Sequence, residues 1–273
     1  MREVYQKIFR NNLPHIWCAG CGNGIVMSAF ARAYDKLGLH KDNTVGVSGI
    51  GCSSRITGYL DFNTLHTAHG RALPFATGVK MTRPEFDVFV FMGDGDCAAI
   101  GGNHFIHACR RNMNITAIII NNYIYGMTGG QFSPLTPIGS KASTAPYGSV
   151  DRNFDICSLA IGAGATFVAR GDVYHTKQLE KLIIKAHEHK GFSVIEVLST
   201  CPISYGRRNK MPKPMDLMNY IKDVTISKER AEKMTAEEVT GKIVTGVLHQ
   251  SEAIEYNEAY MAMVEKLEVG KNG

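Results

Sequence analysis

Two short apolar runs, Val88 to Met92 and Ile115 to Ile120, constrain the fold of this chain more than any other feature. The first ends in Gly93-Asp94-Gly95-Asp96 and the second in Asn121-Asn122. Short apolar runs bounded by turn residues suit strands buried on both faces, and the segment between them suits a crossover helix. Such a βαβ unit brings both strand ends to one edge of a parallel sheet, where open α/β folds bind ligands. Asp94 and Asn122 then stand side by side as oxygen donors, a pairing that suits Mg²⁺ with substrate phosphates in its shell. Gly93 and Gly95 let the backbone approach those phosphates. GDG alone is equally explained by an ordinary βα turn with Asp as helix N-cap. The second strand, its Asn and the GMTGGQ loop (Gly126 to Gln131) tip the balance toward binding.

The cysteines are an independent signal. Cys18 and Cys21 form a CxxC within WCAGCGNG, Cys52 lies in SGIGCSSR and Cys201 in STCPISYG, all of them loops punctuated by Gly or Pro. Cys97, Cys109 and Cys157 sit in apolar or helical surroundings and read as small buried hydrophobes. Four thiolates brought together suit an iron–sulfur cluster or a structural zinc, and a redox CxxC is a rival. A disulfide framework does not fit a chain of this size without a signal peptide.

Taken together, WCAGC, GIGCSS, HGRALPFATG, GDGD, NNYIYGMTGGQ and CPISYGR resemble the β subunits of the 2-oxoacid:ferredoxin oxidoreductases, over about Pro14 to Lys210. The GDG and Asn pattern within them resembles the thiamine diphosphate motif. That resemblance implies Mg²⁺ on Asp94, Asn122 and the carbonyl of Ile124. It implies cofactor contacts from Ile50, Gly51, Cys52, Ser53, His69, Gly93, Gly95, Asp96, Gly126, Met127 and Thr128, and one [4Fe–4S] cluster on Cys18, Cys21, Cys52 and Cys201. His69 is a catalytic candidate or a capping histidine. Arg55 either faces a substrate carboxylate or is a surface cation.

The family activity implied is oxidative decarboxylation of a 2-oxoacid with coenzyme A, with electrons passed through the cluster to ferredoxin. GRRNK, GGNHFIHACRRN and NNYIYGMTGGQ look most like the 2-oxoglutarate-specific members; pyruvate and branched-chain 2-oxoacids stay open. A non-redox thiamine diphosphate decarboxylase would leave the four cysteines unexplained, and a zinc scaffold would leave GDGD unexplained. No second domain offers the Glu that activates the thiazolium. An α subunit is therefore expected to complete the site, in a heterodimer or a dimer of heterodimers.

Composition bounds the remainder. The net charge of +5 over 273 residues is too mild and too evenly spread for nucleic acid. No apolar run reaches the length of a membrane span, and MREVYQKIFRNN lacks the core of a signal peptide, so a cytoplasmic location is expected. Arg207, Arg208, Lys210 and Lys213 form one local basic run, either solvated or steering an anionic partner.

Expected helices are Asn23 to Leu37, His69 to Lys80, Asp155 to Ala163 and Lys177 to Lys190; further strands are Val45 to Ile50, Thr166 to Ala169 and Phe192 to Leu198. A loop from Ser133 to Ser149 covers the site. The alternation predicts an α/β fold, a parallel sheet with helices on both faces, as a diphosphate-binding domain over 1–210. Beyond Met211 a helical C-terminal extension (211–273) is expected, with helices Ala236 to Leu248, opened by a Thr235/Glu238 capping box, and Glu252 to Leu267.

Overall fold

A computed structural model of the chain describes residues 2–269. Eight strands form one sheet in the order β2-β1-β3-β4-β8-β7-β10-β9. They are β1 (Thr44–Ser48), β2 (Asn63–His66), β3 (Asp87–Gly93), β4 (Ile115–Asn121), β7 (Phe167–Asp172), β8 (Phe192–Leu198), β9 (Thr225–Ser227) and β10 (Ile243–Gln250), while β5 (Ile124–Tyr125) and β6 (Gln131–Phe132) make a separate hairpin. Every pairing in the sheet is parallel except β10 with β7.

The apolar runs became strands because helices cover both sheet faces. All seven residues of β4 and all seven of β8 are buried. Alternate side chains feed separate cores, as the two-residue period of a strand requires. Phe89, Phe91, Ile118, Ile120, Ile195 and Val197 pack with helices Asn23–Leu37 and Thr176–Glu188. Val88, Val90, Met92, Ala117, Ile119 and Val194 pack with helices Ala72–Thr82, Gly102–Arg111 and Ile156–Gly162.

Register fixes the site. Ser48 pairs with Phe91, Gly93 with Ile120, and Asn121 with Leu198. The loops that leave β1, β3, β4 and β8 therefore open on the same edge of the sheet.

The C-terminal segment differs from expectation. The Thr235/Glu238 capping box is present, but the helix it opens ends at Val239, and Ile243–Gln250 is a strand rather than the helix expected to Leu248. Val244, Thr245 and Val247 are β-branched, and the free edge of β7 offers them a ladder, so tertiary pairing outweighs weak helix propensity. Helices Pro214–Val224 and Tyr256–Val269 flank it. No described helix is long and apolar enough to cross a membrane.

Candidate active site

The first pocket on this edge is lined by Ile50, Gly51, Cys52, Ser53, His69, Gly93 to Asp96, Asn122, Ile124, Gly126, Met127 and Thr128, all predicted from the sequence, together with Tyr125, which was not. Asp94 is 3% exposed at the end of β3, and its Oδ2 accepts from Ser133 Oγ at 2.5 Å. Burial pushes its carboxyl up to about 7, against the opposing pull of the Ser133 and backbone hydrogen bonds. A buried carboxylate without a compensating cation has that property, and a divalent ion would reverse it.

Asn122 sits one turn across. Tyr123 between Asn122 and Ile124 has φ 65°, a left-handed conformation unusual for an aromatic residue. The kink is held by Thr136 Oγ1 donating to the Tyr123 carbonyl at 2.5 Å, and it lets Asn122 Oδ1 accept from the Ile124 N–H at 3.2 Å. Gly95 is required by close approach: a Cβ there would fall 2.2 Å from the Tyr125 ring, whose hydroxyl donates to the Gly95 carbonyl at 3.2 Å. Asp96 is 2% exposed. Its Oδ1 meets His69 Nδ1 at 2.6 Å and accepts from the Gly70 N–H at 2.7 Å, while its Oδ2 is buried without a partner. The donor set of Asp94, Asn122 and a carbonyl suits Mg²⁺ with a diphosphate.

Thr128 donates to Gln131 Oε1 at 2.6 Å, so its hydroxyl already has a partner in its own loop. Arg55 is exposed, lies outside the cleft lining, and its side chain makes no hydrogen bond to the described residues. Arg208 ties two loops together through the Ser204 and Gly129 carbonyls.

The second pocket is made by sulfur. Burial pushes the Cys21 thiol up to about 12; a hydrogen bond from the Asn23 backbone N–H opposes this, while the neighbouring Cys201, Cys52 and Cys18 sulfurs reinforce it. The fold brings these four together by stitching their loops: Gly22 N–H donates to the Thr200 carbonyl at 3.1 Å, Thr200 Oγ1 to the Gly20 carbonyl at 2.8 Å, and Trp17 Nε1 to the Cys52 carbonyl at 2.7 Å. Among the described residues no three of the four sulfurs lie within 4.8 Å of one another. Four thiol sulfurs converging from three loops are a donor set that suits an iron–sulfur cluster or a structural zinc. Cys97, Cys109 and Cys157 are buried away from this group.

The two pockets share a wall. Cys52 lines the cleft, and a Cβ on Gly126 would lie 3.5 Å from Cys201 Sγ and 3.6 Å from Cys52 Sγ. Beneath lies a charged network that no sequence motif announced. Arg170 donates to Glu196 Oε2 and Asp155 Oδ1, each at 2.6 Å, and Glu196 Oε1 accepts from Asn121 Nδ2 at 2.7 Å. Asp155, Cys157 and Glu196 come close enough to suggest a metal site, but the guanidinium already neutralises both carboxylates.

Residues 49–197 match the family model described as thiamine pyrophosphate enzyme, C-terminal TPP binding domain. The chain is 53% identical over 267 residues to 2-oxoglutarate synthase subunit KorB of Methanocaldococcus jannaschii, covering 98% of this chain and 99% of that one. The chain belongs to the β subunits of the 2-oxoacid:ferredoxin oxidoreductases. A relative of the same name from Archaeoglobus fulgidus is 57% identical over 224 residues, 82% of each chain. A solved structure, the 2-oxoglutarate:ferredoxin oxidoreductase from Magnetococcus marinus with 2-oxoglutarate, coenzyme A and succinyl-CoA bound, superposes with TM-score 0.85 at 32% identity, covering 95% of this chain and 89% of that one. The family is thus an enzyme family, its thiamine-binding fold coincides with the sheet edge described above, and a β subunit has a partner subunit.

Proposed function

We propose that this chain holds both the diphosphate end of thiamine diphosphate and a [4Fe–4S] cluster in an enzyme that oxidises 2-oxoglutarate with coenzyme A and reduces ferredoxin. The observation that carries the reading is the common wall at Gly126, with the diphosphate-type cleft on one side and two of the four sulfurs in van der Waals reach on the other. When bound, the thiamine cofactor supplies the carbon that attacks the 2-oxoacid, and the cluster accepts electrons one at a time.

The chain's own residues then have distinct tasks. Asp94, Asn122 and the Ile124 carbonyl hold Mg²⁺, Ser133 orients the Asp94 carboxylate, and Gly93 and Gly95 leave room for the phosphates. Asp96 fixes the His69 ring beside the cleft, which makes His69 the catalytic candidate from this subunit. Cys18, Cys21, Cys52 and Cys201 ligate the iron. Arg55, outside the cleft lining, is left as a contact for the distal carboxylate of substrate or for the partner chain.

Among the described residues no Glu lines the cleft to activate the thiazolium, so an α subunit completes the site. A heterodimer or a dimer of heterodimers follows, and a low-potential cluster belongs in a reducing cytoplasm. The test is anaerobic purification of the chain alone and with its co-expressed partner, followed by iron, sulfide and thiamine analysis and by ferredoxin reduction with each 2-oxoacid. Iron on the isolated chain, and turnover of 2-oxoglutarate with coenzyme A by the complex alone, are expected. Iron found only on the partner would sink the cluster assignment, and faster turnover of pyruvate would sink the substrate assignment.

A further inference from the structure

Among the described residues, five buried side-chain nitrogen and oxygen atoms lack a hydrogen-bond partner: Asn23 Nδ2 and Oδ1, Ser54 Oγ, Ser199 Oγ and Asp96 Oδ2. Asp96 belongs to the thiamine cleft. The other four atoms fall on three residues, and each residue stands two positions from a cysteine of the sulfur pocket: Asn23 after Cys21, Ser54 after Cys52, Ser199 before Cys201. Buried polar groups left bare are few in a folded protein, and each calls for a reason. Here all three stand in the segments that carry the four cysteines, which come from three parts of the sequence.

Asn23 is the strongest of the three. It is 1% exposed and opens the helix Asn23–Leu37, two residues after Cys21. Ser199 is packed against the same turn, since a Cβ on Gly22 would fall 2.2 Å from its Oγ. A leucine or alanine would occupy these buried positions with no polar atom to satisfy. The Asn23 Nδ2 and the two serine hydroxyls need acceptors that the described residues do not provide, and sulfide or thiolate sulfur is such an acceptor.

We infer that the Asn23 side chain, assisted by Ser54 and Ser199, sets the reduction potential of the cluster by donating hydrogen bonds to its sulfurs. The inference rests on the proposed ligation by Cys18, Cys21, Cys52 and Cys201. Reduction adds negative charge to a group already rich in anionic sulfur. N–H and O–H donors stabilise that reduced form more than the oxidised one, and so raise the potential. Asn23 acts through the cluster and touches no substrate, so it is a positioning residue, and its signature is a potential rather than a rate.

The test is an EPR-monitored redox titration of the complete complex, wild type against Asn23→Leu and Ser199→Ala, with iron and sulfide measured on each sample. Asn23→Leu should keep its iron and shift the midpoint to lower potential; a tenfold loss of preference for the reduced form reads as about 59 mV for one electron. Ser199→Ala should move it the same way by less. Asn23→Ala, uncharged and without the N–H donors, should also lower it, and it carries the test if the leucine variant loses iron. Intact clusters with an unmoved midpoint in these variants overturn the inference and leave the ligation standing. A wild-type β chain without iron overturns both.

Discussion

Asp94 concentrates the residue-scale chemistry. Its Oδ2 rests on Ser133 Oγ at 2.5 Å, and burial raises its carboxyl from the ordinary range to about 7. Asp94→Ala should abolish Mg²⁺-dependent binding of thiamine diphosphate with the fold intact. Ser133→Ala should weaken it by about 10- to 100-fold, the usual cost of losing an outer partner of a metal ligand. Calorimetry on both variants checks this, and wild-type affinity in Asp94→Ala would move the metal elsewhere. The raised value also sets a pH dependence. A carboxyl that binds its proton more tightly when folded favours the folded state while protonated, so metal-free protein should lose stability as pH rises from the unfolded value near 4 to about 7, and level off above. Melting curves from pH 5 to 8 should show that decline in wild type and its loss in Asp94→Asn. The cysteines divide in the same way. Serine at Cys18, Cys21, Cys52 or Cys201 should lower iron content, whereas serine at the buried Cys97, Cys109 or Cys157 should cost only stability. In iron-free protein at pH 8, alkylation should reach the exposed Cys18 first, because burial pushes Cys109 up to about 12 and Cys97 and Cys157 well above the ordinary thiol range.

At the scale of elements, the end of β4 is aligned by a neighbour that no motif includes. Glu196 on β8 accepts from Asn121 Nδ2, and Arg170 on β7 neutralises Glu196 while reaching Asp155 at the start of helix Ile156–Gly162. Glu196 and Arg170 are nearly buried, so deleting one leaves the other's charge stranded. Arg170→Ala should cost about 3–5 kcal/mol of unfolding free energy, read from urea melts. It should also weaken cofactor binding, because Asn121 precedes Asn122 directly. A stable variant with full affinity would make the network dispensable. The strained turn at Tyr123 and the helix-to-strand difference at Ile243–Gln250 carry the same lesson, since each conformation is held by a partner distant in sequence: Thr136 in one case, the edge of β7 in the other.

At the scale of the whole molecule, β10 makes the C-terminal segment part of the sheet, covering the edge of β7. Truncation after Lys210 should bare that edge and lower solubility, which sedimentation of the shortened chain would show. The chain holds the diphosphate-type loops and the sulfur pocket together. Their completion by a second subunit predicts no ferredoxin reduction by the isolated chain and activity on reconstitution, and turnover by the chain alone would refute the divided site.

What the sequence by itself determined is local chemistry. Apolar runs closed by GDGD and NN specify buried parallel strands with oxygen donors at their ends, because hydrophobic period and turn residues act over a few positions. The cleft at these strand ends was legible for that reason, and the family resemblance pointed to Ile50, Gly51 and His69, which line it. Ser133, Tyr125, Arg170 and Glu196 were not legible. An ordinary Ser or Arg carries no signal until folding sets it against a carboxylate 39 positions away, as with Ser133 and Asp94, or 26, as with Arg170 and Glu196. The family resemblance grouped the cysteines at positions 18, 21, 52 and 201; the tertiary structure decided that their loops lie side by side and that Gly126 packs between Cys52 and Cys201 and the cleft. Convergence of that kind comes from strand order and register, which packing of both sheet faces sets globally and no short window of residues contains.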